Sequence, residues 1–204
     1  MKRYVAVAGM IGAGKTSLVS WLVDRYGLLP FYEPNEQNPY LEDFYRDMRR
    51  WALPSQLYFL AHRMRLHQAL EASERPSVID RTIWEDAEIF ARNAHEQGFL
   101  DPRDWALYSE LYEGIRRTVR PPDVLIALRC TIRTARQRIR RRGRAMEANI
   151  PDDYLRRLHH AYTHWFEAYT LSPIVVIETD KMDYVENLVH LLDLRDRLDV
   201  ALGG

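Results

Sequence analysis

Cysteine is nearly absent from the chain: Cys130 is the single one in 204 residues. No disulfide can therefore close within it, which suits a reducing compartment. At the end of an apolar run, Cys130 reads as a buried structural thiol. Long apolar runs are missing too, and none approaches the roughly eighteen residues of a membrane span. Met1-Lys2-Arg3 has the basic character of a secretion leader. The apolar stretch behind it is short and runs straight into a glycine-rich turn, so a cytoplasmic protein without membrane contact is expected. Net charge is also lacking, with 29 Lys+Arg against 29 Asp+Glu. That balance excludes a global field for nucleic acid and leaves only local charge specialisation. There is no repeat, low-complexity tract or obvious linker, and the length suits one substantial core, so a single domain over residues 1–204 is expected.

What is present begins at residue 9. Gly9 to Thr16 fits G-x-x-x-x-G-K-[ST], with the strand-like Tyr4 to Ala8 before it and a helix-like segment from Ser17 after it. Gly9, Gly12 and Gly14 allow successive amides to converge on one anion, and the following helix adds unpaired N–H groups at its positive end. Ala13 and Ser17 belong to the same cradle. Lys15 is placed to reach the β- and γ-phosphates of ATP, and Thr16 to set its hydroxyl on Mg²⁺.

Five short apolar or β-rich runs recur at Tyr4 to Ala8, Leu28 to Glu33, Ser77 to Asp80, Asp123 to Arg129 and Ile174 to Glu178. Helical patterns fill the intervals, which predicts an α/β fold with a parallel sheet covered on both faces. Pro30 weakens the second run as a strand, and Pro54 is expected to open a helix leading into Leu57, Leu60 and Met64.

Functional side chains in such a sheet gather beyond the C-terminal strand ends. There the sequence offers Glu33 after the second run, and Asp80 and Arg81 after the third. Asp80 can hold Mg²⁺ or its waters, Arg81 can bind phosphoryl or acceptor oxygens, and Glu33 is a carboxylate available as base. Further on, "RTARQRIRRRGR", residues 133–144, concentrates seven arginines in twelve positions. We read it as a lid that closes over a nucleoside triphosphate and stabilises transferring charge.

The ordered set "GMIGAGKTS", "YEP", "SQLYFLAHRM", "DRTIWEDAEIFA", "RRRGRAMEANIP" and "DYLRRLHHAYTHWF" resembles the deoxynucleoside kinases of the deoxycytidine and deoxyguanosine kinase type. The resemblance implies a P-loop kinase fold of five parallel strands with helices on both faces, an arginine-rich lid and a homodimer. It implies transfer of phosphate from ATP to the 5′-hydroxyl of deoxyguanosine, deoxyadenosine or deoxycytidine, with a lean toward purines and against thymidine. By it, Glu33 is the general base, Asp80 the acid associated with Mg²⁺, and Arg81 the arginine beside the 5′-oxygen. Gln56, Arg63 and Asp86 read the base edge, Tyr45 and Glu147 hold the sugar 3′-hydroxyl, and Arg138, Arg142 and Arg144 are lid arginines. Met10, Thr82 and Met146 differ from residues common at those family positions.

Spacing supports part of this separately. Gln56 and Arg63, seven apart, share a helix face, and Asp86 follows Asp80 closely enough to stay near the same strand end. An amide, a guanidinium and a carboxylate together satisfy an edge carrying donors and acceptors, and Arg63 with Asp86 would compensate one another if buried.

Two alternatives share the phosphate loop. A nucleoside monophosphate kinase of the thymidylate kinase kind needs cations around an acceptor phosphate, which Glu33 would repel. A GTPase-like switch needs a guanine-reading asparagine that "TDKMD", residues 179–183, lacks, and "DRYG", 24–27, falls on the first helix. His160 and His164 share a helix face without an evident third ligand.

Overall fold

The structure is a computed structural model that describes residues 3–32, 37–147, 150–180, 195, 196 and 199. Glu33, the candidate base, lies outside the described residues, as do residues 181–183 of the "TDKMD" segment.

The apolar run at the start forms β1 (Tyr4–Gly9), every residue of which is buried. A strand with no exposed side must be covered on both faces, the condition of a central parallel strand. β1 lies between β3 (Ser77–Asp80) and β4 (Val124–Arg129), with β2 (Leu29–Phe31) and β5 (Ile174–Glu178) at the edges, in the order β2-β3-β1-β4-β5. All four pairings are parallel, and register sets Val7 beside Asp80 and Gly9 beside Leu128. The sheet therefore ends on one edge with the candidate residues collected there, on either side of β1.

Differences from expectation have local causes. Among the described residues the second strand is limited to Leu29–Phe31, because Pro30 offers no amide to a ladder and confines the strand to the sheet edge. Pro54 does not open a helix. It lies inside α3 (Met48–Ala72), following α2 (Leu41–Arg46); α3 begins at Asp47, whose side chain accepts from Arg50 N. That cap, about two turns upstream, fixes the start more firmly than the proline does.

α1 (Lys15–Tyr26) begins from the glycine turn and stops at Gly27, left-handed at φ 66°. After β3, α4 (Ile83–Glu85), a π-helical turn over Asp86–Ala91 and α5 (Arg92–Glu96) run into one another, followed by α6 (Pro102–Arg116) with Asp101 as cap and Pro102 at its first position. α7 (Ile132–Arg142), capped by Thr131 and ended by Gly143, carries most of the arginine run, and α8 (Asp152–Ala168) leads to β5.

One core residue stands out chemically. His67 on α3 is buried between the rings of Tyr4 and Trp84, and neither ring nitrogen has a hydrogen-bond partner among the described residues. Burial, with Arg63 and Arg120 as further causes, pushes its pKa down to about 3 from 6.5. The unfolded chain thus binds a proton that the folded chain refuses. Stability is full above about pH 6.5 and falls by about 1.4 kcal/mol per pH unit toward pH 3. Urea denaturation across that window is expected to show this slope in the parent and a flatter one in His67→Phe.

Candidate active site

The strand ends and the helices above them form a cleft lined at one end by Gly12, Lys15 and Thr16 and at the other by Gln56 and Asp86. Its phosphate end is the turn after β1. Gly9 has φ 154°, and a Cβ there would sit 2.8 Å from the carbonyl oxygen of Leu128. At Gly12, φ 81°, a Cβ would meet the Ala135 carbonyl oxygen of α7 at 2.5 Å. The glycines therefore let the foot of α7 press directly on the loop. Lys15 Nζ donates to the carbonyls of Gly9 and Met10, at 2.8 and 3.2 Å. Gly14 takes φ 103° just before α1, and Ala13 is buried. Ser17 follows Thr16 on the first turn of α1.

Across from the loop, Thr16 Oγ1 donates to Asp80 Oδ2 at 3.0 Å. The other carboxylate oxygen of Asp80 is buried with no partner among the described residues. A hydroxyl beside an orphaned carboxylate oxygen is a donor set that suits Mg²⁺. Next in sequence, Arg81 stands at φ 72°, left-handed without being glycine. That conformation is sparsely populated and persists where neighbours over-determine it. Here Arg81 N donates to Val7 O, and Arg81 O accepts from Arg63 Nη1 at 3.0 Å.

At the far end, Arg63 is 2% exposed and its Nε donates to Asp86 Oδ2 at 2.9 Å. Its Nη1 also reaches the Asp80 carbonyl at 2.8 Å. The expected base-edge trio is thus assembled, with Gln56 and Asp86 lining the cleft and Arg63 buried behind them. Gln56 Oε1 is buried without a partner among the described residues. Tyr45 and Glu147 also line the cleft, from α2 and from the short 3-10 turn over Ala145–Glu147.

The arginine stretch divides in two. Arg142 donates to Glu147 through Nη2 and Nε, at 2.5 and 3.2 Å, and Arg144 Nη1 lies 3.7 Å from the same carboxylate. Arg138, expected with them over the phosphates, turns instead to the base of the lid. It donates to Ala13 O at 3.1 Å, Thr179 Oγ1 at 2.9 Å and Thr179 O at 2.6 Å. It thereby clasps the phosphate loop to the segment after β5.

Sequence reasoning missed Glu85 and Tyr162. Glu85 is wholly buried beneath the phosphate loop, accepting from Gly9 N, Thr82 N and Tyr162 Oη. Burial pushes its carboxyl pKa up, opposed by the cations of Arg81 and Lys15. The one local signal was the capping box T-x-x-E at Thr82 and Glu85, which explains only the bond from Thr82 N.

A sequence model of the deoxynucleoside kinases matches residues 5–198. The chain is 37% identical to a deoxyadenosine kinase of Lactobacillus acidophilus, covering 99% of this chain and 97% of that protein. It is 33% identical to a deoxyadenosine/deoxycytidine kinase of Bacillus subtilis, over 95% and 90% of the two chains. Among solved structures, deoxyadenosine kinase from M. mycoides with bound dATP superposes at a TM-score of 0.84, with 27% identity over 96% of this chain and 99% of that one.

The Arg63 and Asp86 pair is a test of the site's assembly. Asp86→Ala leaves a buried guanidinium uncompensated and is expected to cost about 3 to 5 kcal/mol of unfolding free energy. Arg63→Met combined with Asp86→Ala removes both charges and is expected to recover part of that loss, as measured by urea denaturation.

Proposed function

The chain belongs to the deoxynucleoside kinase family and phosphorylates deoxynucleosides; we propose that its preferred acceptor is deoxyadenosine, with ATP as donor, Mg²⁺ as metal and residues 1–204 as one catalytic unit. Family membership makes the acceptor a nucleoside hydroxyl, not the phosphate of a monophosphate, and sets the GTPase-like switch aside.

The observation that carries the base preference is Gln56 Oε1, buried without a hydrogen-bond partner among the described residues, with Gln56 and Asp86 both lining the cleft. An amide offers one acceptor and one donor, and the carboxylate adds acceptors. That set matches an exocyclic amine next to a ring nitrogen, the edge of adenine or cytosine, whereas the O6 of guanine would face a like-charged acceptor. The likeness to the Lactobacillus deoxyadenosine kinase favours adenine of the two.

In this reading the phosphate loop from Gly9 to Ser17, with Lys15, holds the donor phosphates. Thr16 and Asp80 would hold Mg²⁺, which would supply charge neutralisation at the donor phosphates. Glu33, two residues after β2 in sequence, takes the proton of the 5′-hydroxyl. Arg81 lies beside that oxygen and meets the charge that develops on the transferred group, joined by Arg142 and Arg144 from the lid. Arg138 contributes by fixing the loop against the segment after β5, and Tyr45 and Glu147 orient the sugar through its 3′-hydroxyl. A homodimer belongs to the same reading. Leu107 and Leu111, exposed one turn apart on α6, form an apolar pair that a second copy would cover. A cytoplasmic setting fits the need for ATP and the free thiol of Cys130.

Initial rates with Mg-ATP over the four natural deoxynucleosides test the proposal. Deoxyadenosine is expected to give the highest kcat/KM, with deoxycytidine next, and an order led by deoxyguanosine or thymidine would refute the reading of Gln56 and Asp86. Glu33→Gln is expected to lower turnover by roughly a hundredfold or more while nucleotide binding persists, in line with the usual worth of a general base. Near-normal turnover would remove Glu33 from that role.

A further inference from the structure

Glu85 has more bonds than a helix cap requires. The capping box uses Oε2, which accepts from Thr82 N at 2.9 Å and Thr82 Oγ1 at 3.3 Å. Oε1 points away from its own helix. It accepts from Gly9 N, the first amide of the phosphate loop, at 3.2 Å and from the Tyr162 hydroxyl at 2.9 Å. The same hydroxyl accepts from Arg81 Nη1 at 2.9 Å. The order of donors is therefore fixed. An acceptor-only carboxylate takes the phenolic proton, so the phenolic oxygen turns its lone pair to the guanidinium. On the other side, Arg81 lies over the ring of Phe90, 4.4 Å from its centroid. The guanidinium is thus held at one edge and on one face, on a backbone that is itself in a strained conformation.

We propose that Glu85 and Tyr162 are positioning residues for phosphoryl transfer, a bonded relay that fixes the orientation of Arg81 and the start of the phosphate loop as one unit. The proposal rests on the reading of Arg81 as the arginine beside the transferred group. A long arginine side chain left to itself samples many rotamers, and a donor aimed in advance at developing charge avoids that reorganisation during reaction. The relay supplies the aim. It ties Arg81, through Tyr162, and Gly9 to a single carboxylate, so the arginine beside the transferred group and the start of the phosphate loop keep a common reference. Glutamine cannot replace the carboxylate, because one of its two ends would turn an amide donor toward the N–H of Gly9 or Thr82.

Tyr162→Phe is the smallest break in the relay, since the ring keeps its packing against Phe166 and Phe90. Steady-state kinetics with Mg-ATP and deoxyadenosine are expected to show kcat lowered about tenfold or more, the worth of one hydrogen bond to a charged group. KM for the nucleoside should stay within about twofold, and Glu85→Gln should lose at least as much kcat. In an Arg81→Lys background, which is itself slow, Tyr162→Phe should lower kcat by no more than about twofold, because the group it positions is gone. If Tyr162→Phe turns over within about twofold of the parent, or loses as much in the Arg81→Lys background as alone, the relay is overturned while the reading of Arg81 stands. Full turnover by Arg81→Lys would instead overturn the reading of Arg81, and the relay with it.

Discussion

A single buried cation holds the two ends of the cleft in register. The Arg63 guanidinium joins the Asp86 side chain at the base end to the carbonyls of Asp80 and Arg81 at the phosphate end. A charge removed from water in this way persists only if its donors are met, and its partners lie at the end of β3 and on the π-helical turn. The helix that carries Gln56, the strand that ends at Asp80 and the π-helical turn that carries Asp86 are therefore set against one another by one side chain. The left-handed conformation of Arg81 belongs to the same arrangement, because its carbonyl is one of the groups that satisfies Arg63.

The lid is rigid at its foot and polar at its far end. Where α7 begins, the carbonyl of Ala135 lies against Gly12, and Arg138 bonds both Ala13 and Thr179. Thr131 and Asp180 add a further clasp, with the threonine amide and hydroxyl donating to the carboxylate at 2.8 to 3.1 Å. Around the helix end at Gly143, Arg142 and Arg144 contact the Glu147 carboxylate. Side-chain ion pairs exchange partners more readily than buried backbone bonds do, so rearrangement belongs to the distal half.

How much of this was legible in the sequence depends on how local each signal is. The phosphate loop, the central strands and the carboxylate after β3 were readable because strand, turn and helix chemistry lie within a dozen residues of one another. Helical spacing placed Gln56 and Arg63 on one face, but it was the resemblance that marked Arg63 and Asp86 as site residues, since by itself Arg63 reads as a surface cation on an amphipathic helix. Pro54 misled because its tolerated place at a helix start competes with a cap at Asp47, and only packing decides between them. Glu85 and Tyr162 were hidden for a different reason. They are 77 residues apart and meet only when α8 crosses beneath the loop, and on its own helix Glu85 looks like an ordinary cap. Arg138 reads as one arginine among seven, and nothing in the spacing separates a residue that clasps carbonyls from one that faces the cleft.

The π-helical turn over Asp86–Ala91 bears on how such a protein can change over evolutionary time. The turn accommodates one residue more than an α-helix would, and deleting a residue there to restore ordinary winding would redirect the side chains carried within the turn itself. Glu88, which receives bonds from Tyr112 on α6 and Trp165 on α8, would swing away from both. Phe90 would leave the guanidinium of Arg81. The segment is thus open to exchange of side chains and closed to change of length. New substrate preferences at this wall of the cleft are accessible by substitution, while insertions and deletions are confined to loops outside it.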